Sequence, residues 1–311
     1  MRGFFLKGET VVTFRQLLRI VEIRTKVVSV SGLAIGCAYT WYRYGPDLEV
    51  STFIFVMAVL AVDMATTGFN TFFDYFHGVD RRDHNREPDK VLVHQGVPAG
   101  TAFIVSMVLY AVAVLLGLFL AIRVSLWLVP VGAMSMLVGF LYNAGPVPIS
   151  RTPLGEVFAG GFLGWVLVSL TIFVVRGGML SATDLLVGVP SLFLVASILT
   201  VNNTCDIYGD ARSGRRTISV LLGRLWGERL VYILGALAYL SAVSLVLLGL
   251  LPPPVLAGLL AAGLTNISLY VGLHRRGLNH DTKGASMGAI SKTLVRFTAG
   301  FVTPVVILLI L

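Results

Sequence analysis

The chain is 311 residues long, 56% hydrophobic and only 13% charged, with a mean hydropathy of +0.85 and a formal net charge of +8. An ordinary soluble domain carries about 25% charged residues, so this composition excludes one and implies a polytopic membrane protein. The positive balance needs no nucleic acid to explain it, because basic residues orient a membrane bundle and attract anionic lipid heads or anionic substrates.

Residues 1–26 mix charges throughout and lack a compact apolar core before a small-residue cleavage site, so they read as a cytoplasmic or interfacial segment rather than a leader. Within them Phe14, Leu17, Leu18 and Val21 alternate with Arg15 and Arg19, a pattern suited to a helix lying in the interface; the alternative is a solvated tail. Apolar stretches then follow at 27–41, 52–76, 101–122, 126–142, 154–175, 182–203, 230–251, 255–273 and 290–311. At roughly 15 to 25 residues each, they predict an all-α bundle of nine transmembrane helices forming a single domain over 1–311. With the N-terminus inside, 21 of the 24 Lys and Arg residues fall on the cytoplasmic side, leaving Arg43, Arg123 and Arg176 opposite. Gly32 with Gly36 and Gly160 with Gly164 are small-residue spacings that predict close helix packing. Cys37 and Cys205 fit no disulfide or metal pattern.

Polar residues gather at two helix ends. The second stretch closes on Asn70, Asp74, His77, Gly78 and Asp80, followed by Arg81 and Arg82, with Lys90 beyond. Gly78 lets that helix stop and brings Asp80 back toward Asp74. Asp63, deeper on the same face, reads as part of a buried polar network in preference to a metal ligand. The sixth stretch closes on Asn202, Asn203, Asp206 and Asp210, followed by Arg215 and Arg216. Asn202, Asp206 and Asp210 recur every four residues, so a continuous helix stacks them on one face. Asp74 and Asp206 stand 132 positions apart, which hints at a duplicated four-helix unit. In the nine-span topology both clusters emerge on the cytoplasmic side and can face one cavity.

Facing carboxylates repel unless divalent cations and a polyanion lie among them, and Mg²⁺ takes one or two carboxylates and completes its octahedron with water and phosphate oxygens. Arginine forks suit the phosphate. An apolar bundle beneath accepts a long hydrocarbon tail, so the indicated substrate is a polyprenyl diphosphate. The bland reading is interfacial capping by acids and amides. For Phe69, Phe72, Phe73, Tyr75 and Tyr142 the readings are shielding of an allylic cation or ordinary packing. Glu156 is open between a contact to acceptor or loop and a first-turn acid favoured by the helix dipole. Asp184 after Ser181 reads as a capping pair.

These residues resemble the UbiA-type superfamily of intramembrane prenyltransferases, and within it the 1,4-dihydroxy-2-naphthoate polyprenyltransferases of menaquinone synthesis. The resemblance rests on the run from Asn202 through Asp210, Gly214, Arg215, Arg216 and Thr217 to Leu222 and Gly223, and on Asn70, Asp74, Gly78 and Asp80. Tyr142-Asn143-Ala144-Gly145-Pro146 with Leu154-Gly155-Glu156, and Glu22 to Lys26, add to it. It implies Mg²⁺ dependence, a polyprenyl diphosphate donor and an aromatic acceptor whose carboxylate is lost, giving a demethylmenaquinone. Asn70, Asp74, Asp206 and Asp210, with Asp80, become metal and diphosphate ligands. Asn202, Asn203, Arg81, Arg82, Lys90, Arg215, Arg216, Tyr142 and Lys26 become substrate contacts, and His77 either assists proton removal or is an interfacial histidine without a role. Another aromatic or lipid acceptor remains open, and from a different class a cation-coupled transporter. The chain is expected in a prokaryotic cell membrane with its site facing the cytoplasm.

Overall fold

The computed structural model describes residues 12–46, 49–79 and 90–311, and every regular element among them is helical. A short α1 (Phe14–Ile20) starts at a capping box, Thr13 accepting from Gln16 N while the Gln16 side chain accepts from Thr13 N. The predicted interfacial segment is thus helical over seven residues. There follow α2 (Val27–Tyr44), α3 (Val50–Phe76), the single turn α4 (Val91–His94), α5 (Ala99–Arg123) and α6 (Leu128–Asn143). Next, α7 (Gly155–Ala159) runs through a π-helical stretch, Gly160–Val166, into α8 (Leu167–Val175). A 3₁₀ turn, Asp184–Gly188, opens onto α9 (Val189–Cys205), then α10 (Ile207–Arg212) and α11 (Ile218–Leu222). The chain closes with α12 (Arg224–Leu247), α13 (Pro254–Arg276) and α14 (Lys283–Ile310).

Each predicted apolar stretch is helical among the described residues. Seven helical segments are long and apolar enough to cross a bilayer: α3, α5, Gly155–Val175, Asp184–Cys205, α12, α13 and α14. The other two are α2, at 18 residues, and α6, at 16. The last helix starts seven residues before the expected boundary, because Lys283 to Ala289 continue its pattern ahead of the apolar run.

The chain forms two compact units, one holding residues up to Lys26 with Ile54–Ile149, the other Val27–Phe53 with Ser150–Leu311. In the first unit Phe69 is fully buried, edge-on to Phe103, Tyr110 and Phe140 at 5.7, 5.1 and 5.3 Å. Phe72 packs on Phe103 at 5.2 Å, so these two rings serve packing. Asp63 belongs to a buried network as expected: its Oδ1 lies 2.5 Å from Lys26 Nζ, which also donates to Asp63 O and Thr67 Oγ1.

In the second unit a core of Ile35, Tyr39, Ile172, Leu194, Phe297 and Phe301 is wrapped by α2, α8, α9 and α14. Both glycine pairs make the close approaches their spacing implies. A Cβ on Gly36 would sit 2.6 Å from Thr171 Cβ, and one on Gly164 2.5 Å from the Leu192 nitrogen. Gly164→Val is therefore expected to cost about 2 kcal/mol by overpacking against backbone that cannot give. Gly161→Ala meets nothing within 4 Å and should stay within about 0.5 kcal/mol of the wild type. Thermal unfolding of the two variants in detergent checks the contrast.

Candidate functional site

The end of α3 carries the first cluster. Asn70 and Asp74, one turn apart and both half-buried, share a helical face. Gly78 takes φ +68, Val79 N donates to Asp74 O at 2.8 Å and Gly78 N to Tyr75 O at 3.1 Å, the paired bonds of a Schellman motif. The helix thus stops where the glycine predicted. His77 is exposed and stacks on Phe73 at 5.8 Å. Asp80, Arg81 and Arg82 lie outside the described residues. Lys90 pairs with Glu22 at 3.3 Å. Lys26 departs from the expected substrate cradle, since the donors of its ammonium are directed at Asp63 and Thr67 in the protein interior. Tyr142, half-buried, precedes Asn143, whose amide donates to Thr66 O at 3.2 Å.

The second cluster is not the single straight helix that the spacing suggested. α9 ends at Cys205, Asp206 takes φ −96 and ψ 10, and α10 begins at Ile207, so Asp206 stands at a joint. The carboxylates of Asp206 and Asp210 accordingly meet different partners. Asp206 Oδ2 lies 2.7 Å from Lys283 Nζ and Oδ1 3.4 Å from His280 Nδ1, both at the start of the α14 region. Asp210, buried, lies 3.4 Å from Arg215 Nη1. Arg216 is exposed, its backbone nitrogen donating to Arg151 O at 2.8 Å, while Arg151 reaches Ser213 O. Asn203 is buried and donates to Glu156 Oε1 at 2.9 Å; Asn202 is half-buried.

The end of α10 repeats that of α3. Gly214 takes φ +75, Arg215 N donates to Asp210 O at 2.9 Å and Gly214 N to Ala211 O at 3.2 Å. Asp74 and Asp210 thereby occupy the same place before the same glycine stop, so by their helix ends Asp74 matches Asp210 and Asn70 matches Asp206, a second correspondence beside that of Asp74 with Asp206. A carboxylate in the last turn of a helix faces the negative end of the dipole, and a cation relieves that cost. For Asp210 the structure supplies Arg215.

Among the described residues no three His, Cys, Asp or Glu side chains cluster as a ready metal cage. The donors at each of the two helix ends nonetheless suit Mg²⁺, which asks for one or two hard carboxylates and keeps its other positions for water and phosphate. The amide and carboxylate oxygens of Asn70, Asp74, Asn202, Asp206 and Asp210 are hard donors; the nearby Cys205 thiol is packed away against Val201 and Val231. Lys283 and His280 were invisible from sequence as partners of Asp206, because only the fold closes a separation of more than 70 residues.

The chain is 31% identical over 198 residues to the 1,4-dihydroxy-2-naphthoate octaprenyltransferase of Bacillus subtilis, covering 64% of this chain and 63% of that protein. It is 31% identical over 210 residues to the protein of the same name from Mycobacterium tuberculosis, covering 67% and 70%. The match thus spans slightly less than two thirds of the Bacillus relative. Among solved structures, a UbiA homolog from Archaeoglobus fulgidus superposes with a TM-score of 0.66 at 13% identity over 95% of this chain and 100% of that one. Its form bound to DMAPP and Mg²⁺ gives 0.63 at 13% identity, over 93% and 99%. At such identities the superpositions speak for the fold. The family model matched by residues 29–290 is that of the UbiA prenyltransferases, and the chain belongs to this family.

Proposed function

We propose that this protein transfers a polyprenyl group from an allylic polyprenyl diphosphate to 1,4-dihydroxy-2-naphthoate, with Mg²⁺, releasing diphosphate and CO₂ and yielding a demethylmenaquinol, the reduced form of a demethylmenaquinone. The observation that carries the reading is the recurrence of one helix end, carboxylate four residues before a left-handed glycine, at Asp74–Gly78 and Asp210–Gly214. The names of the Bacillus and Mycobacterium relatives support the naphthoate acceptor. Asn70, Asp74, Asp206 and Asp210, with Asp80, are the proposed ligands of metal and diphosphate. Arg215 and Arg216, with Arg81, Arg82 and Lys90, are proposed to neutralise the phosphates, and Tyr142 and His77 to border the acceptor. Asn202 and Asn203 complete the set.

Bound Mg²⁺ would draw electron density from the diphosphate and make it a better leaving group. The chain's own residues then orient the donor and exclude water while the allylic carbon–oxygen bond breaks. The new carbon–carbon bond forms at the ring carbon bearing the carboxylate, which leaves as CO₂. Nine spans, a cytoplasmic N-terminus, a site opening to the cytoplasm and a prokaryotic cell membrane belong to the same proposal.

Purified protein incubated with Mg²⁺, a polyprenyl diphosphate and 1,4-dihydroxy-2-naphthoate is expected to give the demethylmenaquinol mass, or that of the demethylmenaquinone once air has oxidised it. EDTA should abolish it, and 4-hydroxybenzoate should give no product. Product with another acceptor alone would keep the prenyl transfer and discard the naphthoate; folded protein inactive with every acceptor would overturn the reading.

A further inference from the structure

An amide is the one oxygen donor in this site that can turn the wrong way, offering its NH₂ to a cation instead of its oxygen. The second unit contains a chain of hydrogen bonds that settles the matter for Asn202. Glu156, in the first turn of α7 and 4% exposed, accepts through Oε1 from Asn203 Nδ2 at 2.9 Å. The carboxylate draws the NH₂ end of Asn203 toward itself, which turns Asn203 Oδ1 the other way. That oxygen accepts from Asn202 Nδ2 at 3.4 Å. With its NH₂ so engaged, Asn202 is left to present Oδ1, and it stands one helical turn before Asp206.

We propose that Glu156 is a positioning residue: through Asn203 it sets the polarity of the Asn202 amide, so that an oxygen rather than an NH₂ faces the cation. The inference rests on the Mg²⁺–diphosphate reading of this site. Two further features of Glu156 fit it. Its Oε2 is buried without a hydrogen-bond partner, an arrangement that burial alone disfavours and that calls for a reason to keep the acid there. The start of α7 supplies a favourable dipole for the carboxylate, so the charge needs no arginine that would compete with Asn203.

The test is Mn²⁺ binding to the full chain in detergent, read by electron paramagnetic resonance of free Mn²⁺, with thermal midpoints taken in parallel. Glu156→Ala is expected to weaken binding about 10-fold, the scale for losing a residue that orients a ligand. Glu156→Gln still accepts from Asn203 through its own amide oxygen and should stay within about 3-fold. The decisive variant adds Asn202→Asp to Glu156→Ala. A carboxylate offers oxygen whichever way it turns, so affinity should return although the Glu156–Asn203 contact remains absent. Asn203→Ala breaks the same relay with Glu156 in place and serves if the Glu156→Ala protein does not fold. Unchanged Mn²⁺ affinity in folded Glu156→Ala or Asn203→Ala would overturn the relay alone, as would failure of Asn202→Asp to restore it. Absence of Mn²⁺ binding by the wild type would overturn the metal reading itself.

Discussion

Asp206→Ala is expected to lower prenyl transfer at least 100-fold, about 2.7 kcal/mol of barrier, while the protein still folds. Asp206 stands at the joint of α9 and α10, its side chain about one-fifth exposed, facing Lys283 at 2.7 Å and His280 at 3.4 Å. Partial exposure keeps the folding cost small, on the order of 1 kcal/mol or less for a pair still in contact with solvent. The catalytic cost is large, because the proposed metal–diphosphate site loses a hard oxygen donor and the carboxylate that faces Lys283 and His280 is removed. Turnover at saturating Mg²⁺, set beside circular dichroism and a thermal midpoint, separates the two effects. A variant working within threefold of the wild type would remove Asp206 from the diphosphate site.

The largest effect on stability is expected at Asp184. The sequence reading made it a capping acid, and Ser181 N does donate to its Oδ2 at 2.8 Å. It is much more than that. Asp184 is fully buried, Tyr39 and Tyr44 each donate to Oδ1 at 2.8 Å, and Arg176 Nη1 lies 2.7 Å from Oδ2, its guanidinium 3.6 Å over the Tyr44 ring. Four donors from three segments of chain converge on one carboxylate. Asp184→Ala strands Arg176 and two phenols at once, and about 3–5 kcal/mol is the cost of stripping one partner from a buried charge pair. Asp184→Asn keeps the shape but supplies one acceptor oxygen, and should fall between. Unfolding by heat or denaturant in detergent gives the order; an alanine variant as stable as the wild type would contradict it.

How much of this was legible in the residues depends on the range of the interaction. Hydropathy located every long helix, because an apolar run of about 20 residues is most readily satisfied as a helix in a bilayer, though the starts of α12 and α14 fall six and seven residues earlier than the apolar runs. The glycine stop at Gly78 and the tight seams at Gly36 and Gly164 were also readable, being properties of one residue and its local backbone. The joint at Asp206 was not: an i, i+4 recurrence reads as one helix whether or not the helix pauses between. Nor did anything in Lys283, His280, Arg176 or Tyr39 announce its carboxylate, since those pairs are made by tertiary packing. Glu156 was left open between two roles, and its contact with Asn203 on α9 is one that neither of them included.

The π-helical stretch Gly160–Val166 carries a last consequence. Each i→i+5 turn takes in one residue more than an α-turn, so the stretch accommodates an extra residue within a single span. Upstream of it Glu156 addresses α9; downstream Thr171 meets the Gly36 face of α2. Deleting one residue there, Gly161 being sterically the freest, would return the span to uniform α-helical pitch without removing any contact-forming side chain. Because the π turn closes its circle with one residue more, losing that residue on return to α pitch leaves the two halves almost in phase, so Glu156 would still address α9 while Thr171 keeps its glycine seam. The same deletion made further on, in α8, has no such slack and would turn Glu156 away from α9 by about 100°, 360° divided by 3.6: the rotational setting of this helix, as much as its composition, is what the chain has encoded.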